Sequence, residues 1–149
     1  MKVLIVNGSG RPKGCTYVAL SEMEQILNGE GIETEQIFIG NEPLRDCTEC
    51  MKCKQLDNRC VFEDDIVNDF IDKAKTADGF IYGSPVYFAS PSARIQALLD
   101  RSYYAAKNVF RHKPACAIVS ARRAGTTAAL EVLNKYITYT ESPLVASSY

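Results

Sequence analysis

KVLIVNGSGRPKGCT, residues 2–16, decides the architecture. Its first half is an unbroken apolar run, Val3 to Val6, stopped by Asn7 and Gly8. So short a run without polar alternation fits a strand covered on both faces, the situation of a strand inside a parallel sheet. Its second half is a glycine-punctuated turn leading into a helical period: Leu20, Met23 and Leu27, closed by Gly29 and Gly31.

The same strand pattern recurs in GFIYGSP (79–85) and ACAIVSA (115–121). ETEQIFIG (33–40) alternates enough for a second strand, and PLVAS (143–147) reads as the start of a fifth. Between them a second helix carries Ile66, Val67, Phe70, Ile71 and Ala74 after the acidic start Glu63, Asp64, Asp65. A third is expected to open at Ser90 and Pro91 and continue through Ile95, Leu98 and Leu99; a fourth runs from Thr126 through Leu130, Leu133 and Ile137. Strand and helix alternate throughout. The expected fold is therefore α/β, a doubly wound five-stranded parallel sheet in an α/β/α three-layer arrangement. Residues 1–149 form one domain, and the one irregular insert is 41–60.

Composition narrows the function classes. The chain is 46% hydrophobic and 23% charged with a formal net charge of -1. Nothing in that balance points to nucleic acid. No apolar stretch approaches the roughly 20 residues of a membrane span, and the opening residues are too few for a signal peptide, so a cytoplasmic protein is expected.

In doubly wound sheets ligands gather beyond the carboxyl ends of the strands, which singles out three loops. After the first strand, Ser9, Gly14, Cys15 and Thr16 precede a helix, offering backbone N–H groups and hydroxyls at its positive end: a phosphate cradle, to which Arg11 adds a fork of donors. No Gly-Lys-Ser/Thr triplet occurs, which argues against a nucleotide triphosphatase. Cys15 follows the arginine, unlike the order in cysteine phosphatases, and is read as a small polar residue near phosphate. After the third strand, Pro85, Val86, Tyr87 and Phe88 can line a flat ring. After the fourth, Ala121, Arg122, Arg123 and Gly125 bring two adjacent cations to the same edge. Together the loops describe a site for a phosphorylated, planar, partly anionic ligand. A rival reading takes Gly8, Gly10 and Gly14 with Tyr103 and Lys107 as a Rossmann-type NAD(P) dehydrogenase, although Tyr103 and Lys107 read more simply as an i, i+4 pair on a helix.

The insert holds Cys47, Cys50, Cys53 and Cys60 at C-x2-C-x2-C-x6-C spacing. In a reducing compartment such a cluster points to metal or redox chemistry before structural disulfides. Structural zinc favours two separated C-x2-C pairs, so this spacing leans to a 4Fe–4S cluster; free thiols or a redox disulfide stay open beside it. Cys116, inside a strand, reads as an inert buried hydrophobe, and His112 as a surface residue.

GSGRPKGCT, followed by GSPVYFASPSARIQALLDR and VSARRAGTTAALEVLNKY, resembles the flavodoxin-like NAD(P)H-dependent FMN reductases, in particular the iron–sulfur flavoprotein branch. The resemblance covers essentially the whole chain. It implies strand order 2-1-3-4-5 and bound FMN, with Ser9, Arg11, Gly14, Cys15 and Thr16 on its phosphate. It places Pro85, Val86, Tyr87 and Phe88 beside the isoalloxazine ring and Ala121, Arg122, Arg123 and Gly125 near its pyrimidine side. Cys47, Cys50, Cys53 and Cys60 become the implied ligands of a 4Fe–4S cluster. Electrons would pass from NAD(P)H, or a ferredoxin-like protein, through FMN to a quinone, flavin or other small acceptor, with no catalytic side chain required. A flavodoxin-like electron carrier or redox sensor without turnover is the alternative. The resemblance also implies a homodimer or homotetramer. It further implies a more glycine-rich third loop than this one, and an aromatic segment and last helix after Tyr149, without which one sheet face is thinly covered.

Overall fold

The computed structural model describes residues 1–147. Strand β1 (Lys2–Asn7) leads into α1 (Cys15–Gly29) and β2 (Glu33–Phe38); then come α2 (Val67–Thr76), β3 (Gly79–Tyr87), a two-residue β4 (Ser90–Pro91), α3 (Ala93–Phe110), β5 (Ala115–Ser120) and α4 (Thr126–Tyr139). A single 3-10 turn at Lys52–Gln55 is the only regular element among the described residues of the cysteine insert.

Four strands run parallel in the order β2-β1-β3-β5. β1 sits between β2 and β3 because its residues bury on both sides: Leu4 and Val6 face one core with Phe80 and Tyr82, while Ile5 and Ile81 face the other. That alternation follows from the two-residue period of a strand. α2, α3 and α4 cover the larger core, where Phe110 packs on Phe70, Phe80 and Tyr103 with ring centres 5.6, 5.2 and 4.3 Å apart. α1 covers the other face through Leu20, Met23 and Leu27, against which Cys116 and Ile118 are only partly buried. Cys116 is thus half-buried and not the fully enclosed hydrophobe expected, though burial still pushes its thiol pKa up.

Two expectations need correction. The fifth strand is reduced to one parallel bridge, Ala115 to Leu144, held by Ala115 N to Pro143 O at 3.0 Å and Val145 N to Ala115 O at 2.9 Å. Pro143 brings no N–H to the ladder, and Leu144 and Val145 stay exposed, so no burial extends the pairing. Ser90 and Pro91, expected to open the third helix, instead form β4, antiparallel to the end of β3. Phe88 and Ala89, both left-handed, close this tight hairpin, and the helix cap passes to Ser92, whose Oγ accepts from Ile95 N at 3.4 Å. No helix of the described residues is long and apolar enough to cross a membrane.

Candidate functional site

The three loops meet at the carboxyl ends of β1, β3 and β5, where register places Asn7 opposite Gly83 and Pro85 opposite Ser120. Gly8 is the joint. Its N–H donates to Gly83 O at 2.8 Å and its carbonyl accepts from Ser92 Oγ at 2.6 Å. A Cβ on Gly8 would stand 2.8 Å from Ile95 Cβ and 2.9 Å from Gly83 O, so no larger residue fits. The first loop is then folded by short side-chain turns: Asn7 Oδ1 accepts from Ser9 N at 3.0 Å, and Ser9 Oγ accepts from Arg11 N at 3.0 Å. Ser9 is buried but keeps its hydroxyl proton to donate.

Helix α1 starts at Cys15 with Gly14 as its cap, and Gly14 has no side chain to satisfy the first-turn N–H groups. Asn7 Nδ2, completely buried, also lacks a protein partner. Arg11 and Lys13 flank this spot, exposed and without an ion-pair partner among the described residues; the same holds for Arg122 and Arg123 across the edge. Uncapped amides, an orphaned amide NH2 and unmatched cations make a site short of an anion. Thr16 takes a different place from its neighbours: it is buried, with Oγ1 3.0 Å from Ser120 Oγ, so its hydroxyl ties α1 to β5 and only its N–H belongs to the cradle. Cys15 is exposed beside it.

The second loop presents Tyr87 and Phe88 to solvent, Phe88 wholly, with Pro85 and Val86 half-buried beneath. The third loop is clamped onto it. Gly125 caps α4 at φ +89°, and a Cβ there would stand 2.7 Å from Ala89 Cα. Ala121, Arg122 and Arg123 are exposed around that contact. The loop residues expected from the sequence come to one edge of the sheet, and the supports Asn7, Ser84, Ser92 and Ser120 were not among them. Ser84 Oγ accepts from Ser92 N at 2.9 Å and donates to Pro85 O at 2.8 Å. Small polar residues directly after apolar runs were the available signal.

Cys47, Cys50, Cys53 and Cys60 line one pocket against α3, together with Phe62, Arg101 and Tyr104. The chain wraps there through three left-handed residues, Glu49, Met51 and Asn58. Cys60 is buried and fixed: its N–H donates to Asn68 Oδ1 at 2.8 Å, and its carbonyl accepts from Asn68 Nδ2 at 3.0 Å. Burial, and then the neighbouring Cys47 and Cys50 thiols, push the Cys53 thiol pKa up. Among the described residues no three Cys, His, Asp or Glu stand close enough to hold a metal ion. A single zinc, with its bonds of about 2.3 Å to sulfur, therefore does not fit. A four-iron cluster needs its thiolates spread further apart, around four irons, and the donor set of four cysteines suits it. The pocket is nearly closed, roughly 20 Å³, with room for about one water.

Tyr103 and Lys107 do not form a catalytic pair. Tyr103 shares a 2.7 Å hydrogen bond with Tyr82, and Lys107 lies over the Tyr139 ring at 4.4 Å, with the helix kinked between them at Ala106. A cavity of about 880 Å³ lies there between α3 and α4, lined by Tyr103, Tyr104, Tyr136 and Tyr139 among others; no loop residue of the strand-end site borders it. His112 is exposed, its Nδ1 3.2 Å from Glu141 O.

The sequence pattern of the NADPH-dependent FMN reductase family matches residues 1–149. An iron–sulfur flavoprotein of Methanocaldococcus jannaschii is 43% identical over 102 residues, covering 68% of this chain and 52% of the relative. One from Methanosarcina thermophila is 35% identical over 103 residues, covering 68% and 52%. The chain thus spans about half the length of these curated relatives. Among solved structures, an NAD(P)H:quinone oxidoreductase from Methanothermobacter marburgensis superposes with a TM-score of 0.76 at 18% identity, covering 99% of this chain and 83% of that one. A flavodoxin from the domain Archaea does so at 0.68 and 13%, covering 99% and 80%. The likeness to these structures establishes the flavodoxin-like fold.

Proposed function

The chain belongs to the NADPH-dependent FMN reductase family, and from that premise we propose that it is an oxidoreductase that binds FMN at the three strand-end loops and takes electrons from NAD(P)H. The observation that carries this reading is the uncapped start of α1 beside the buried, partnerless Asn7 Nδ2 and the unpaired Arg11. FMN, held by these loops, would supply the redox chemistry, taking up two electrons as a hydride equivalent and releasing them one or two at a time.

The chain's own groups bind and orient. Amides of Gly14, Cys15 and Thr16, the Ser9 hydroxyl and the Arg11 guanidinium grip a phosphate, each donating to an oxygen. Pro85, Val86, Tyr87 and Phe88 supply an apolar wall for a flat ring. Arg122 and Arg123 place positive charge where negative charge develops on a reduced ring, with Ala121 and Gly125 setting the loop's path.

The test compares FMN with riboflavin by calorimetry and visible spectra, followed by NADPH and NADH oxidation with quinone and free flavin as acceptors. FMN uptake much tighter than riboflavin uptake, with turnover, is expected. Absence of FMN uptake overturns the site; uptake without turnover favours a carrier.

The same reading assigns Cys47, Cys50, Cys53 and Cys60 as ligands of a 4Fe–4S cluster, which would pass electrons singly to or from a ferredoxin-like partner. It is supported by the four cysteines lining one pocket and by the relatives' description as iron–sulfur flavoproteins. Anaerobic reconstitution with iron and sulfide is expected to load about four irons per chain, the content of one such cluster. No iron uptake would overturn the assignment.

A further inference from the structure

One buried charge has no part in that scheme. Arg101, on the middle of α3, is 1% exposed and borders the cysteine pocket. Its Nε and Nη2 each stand 3.4 Å from Cys60 Sγ. The other donors are spent on Asp65, whose side chain is 8% exposed, on Arg45 O at 3.3 Å and on Phe62 O at 3.3 Å. A buried guanidinium needs a carboxylate partner and satisfied N–H groups, and Asp65 with the two carbonyls already meets much of that need. The fork on sulfur is the unexplained part. A thiol is a weak acceptor, whereas a thiolate, the form that binds iron, is a strong one for a cationic fork.

We propose that Arg101 is a positioning residue for the cluster, holding Cys60 as its fixed ligand and raising the cluster's reduction potential through two N–H groups on the Cys60 sulfur. The inference rests on the four cysteines being cluster ligands. On reduction one electron enters the cluster, supplied in the test by dithionite, and no bond forms or breaks. Hydrogen bonds to a ligand sulfur stabilise the more negative, reduced form and so raise the potential. Asp65 balances the formal charge of the arginine, so the directed N–H groups carry the effect.

The experiment reconstitutes wild type, Arg101→Lys and the double variant Arg101→Met/Asp65→Asn anaerobically. It then measures iron and sulfide content, the midpoint potential by mediated dithionite titration read by EPR, and melting temperature. The double variant leaves no unpaired buried charge, and FMN uptake serves as a check of folding in each. In the double variant the one-electron reduction equilibrium is expected to become about tenfold less favourable, a fall of about 59 mV. Arg101→Lys, which cannot hold Asp65 and place two donors on sulfur at once, falls between. Unchanged midpoints with a lowered melting temperature would make Arg101 structural and overturn this inference alone. A wild type that takes up no iron overturns the cluster reading and this inference with it. Should the double variant fail the FMN check, the Arg101→Lys midpoint decides.

Discussion

Arg11 and Gly125 show two ways in which a single residue serves the strand-end site. Arg11 is exposed and its own N–H is already bound to Ser9 Oγ, so its side chain contributes little to folding. Its guanidinium is therefore free for a phosphate, where a charged hydrogen bond is worth about 1.5 kcal/mol or more. Arg11→Gln is expected to weaken FMN binding about tenfold, leave riboflavin binding within twofold and keep the melting temperature, all readable by calorimetry and thermal scanning. Gly125 is the opposite case. At φ +89°, with Ala89 Cα where a Cβ would point, it permits the third loop to lie on the second. An alanine pays the left-handed penalty of about 1–2 kcal/mol and must also push Ala89 away. Gly125→Ala is expected to lower stability by about 2 kcal/mol in urea titration and to weaken FMN and riboflavin alike, since the ring's two walls separate.

At the scale of elements, the β3–β4 hairpin is the most informative piece. Its turn is built from Phe88 at φ 49° and Ala89 at φ 59°, residues that a turn of this kind does not favour; Asn and Gly would suit it. Backbone held against preference, carrying a wholly exposed ring, points to a role for that ring. Phe88→Asn is expected to raise stability by about 0.5–1 kcal/mol while weakening ring binding, so that FMN and riboflavin lose affinity in parallel. A loss of stability in denaturant titration would mean that the phenyl ring packs to hold the hairpin. The hairpin also marks where sequence reading stops. Apolar runs announced β1 and β3, buried on both faces, and also β5, only half-buried, because such runs leave a pattern in the chain itself, and the turn into α1 was legible because glycines and hydroxyls sit directly ahead of a helical period. Ser90 and Pro91 imitate a helix start perfectly well in isolation. Only pairing with Val86 and Tyr87, a contact of the folded chain, makes them a strand. Arg101 was invisible for the same reason, because its partners Asp65 and Cys60 lie 36 and 41 residues away.

Across the whole molecule, the strand-end site and the cysteine pocket are built by different means. The first hangs on the tips of β1, β3 and β5, fixed by ladder register and by Gly8. The second is an insert between β2 and α2, pinned by Asn68 and Arg101 and otherwise exposed or half-buried. One rigid element touches both: Ser92 at the start of α3 bonds Gly8, and Arg101 nine residues on bonds Cys60. At 1.5 Å per residue these anchor points lie about 14 Å apart along the helix, ahead of its kink at Ala106. Two sites joined through one unkinked stretch of helix and no shared side chain should fold independently yet keep a fixed spacing. Cys50→Ser/Cys53→Ser removes one exposed and one half-buried thiol from the insert and leaves Cys60, Asn68 and Arg101 in place. It is expected to abolish iron uptake while FMN affinity stays within about twofold, because such distant sites without shared partners act additively. Saturating FMN at about 100 times its Kd should stabilise this variant by about 2.7 kcal/mol, the same increment as in wild type. A variant that loses FMN together with iron would show that the insert props up the strand-end loops, and the two sites would then count as one.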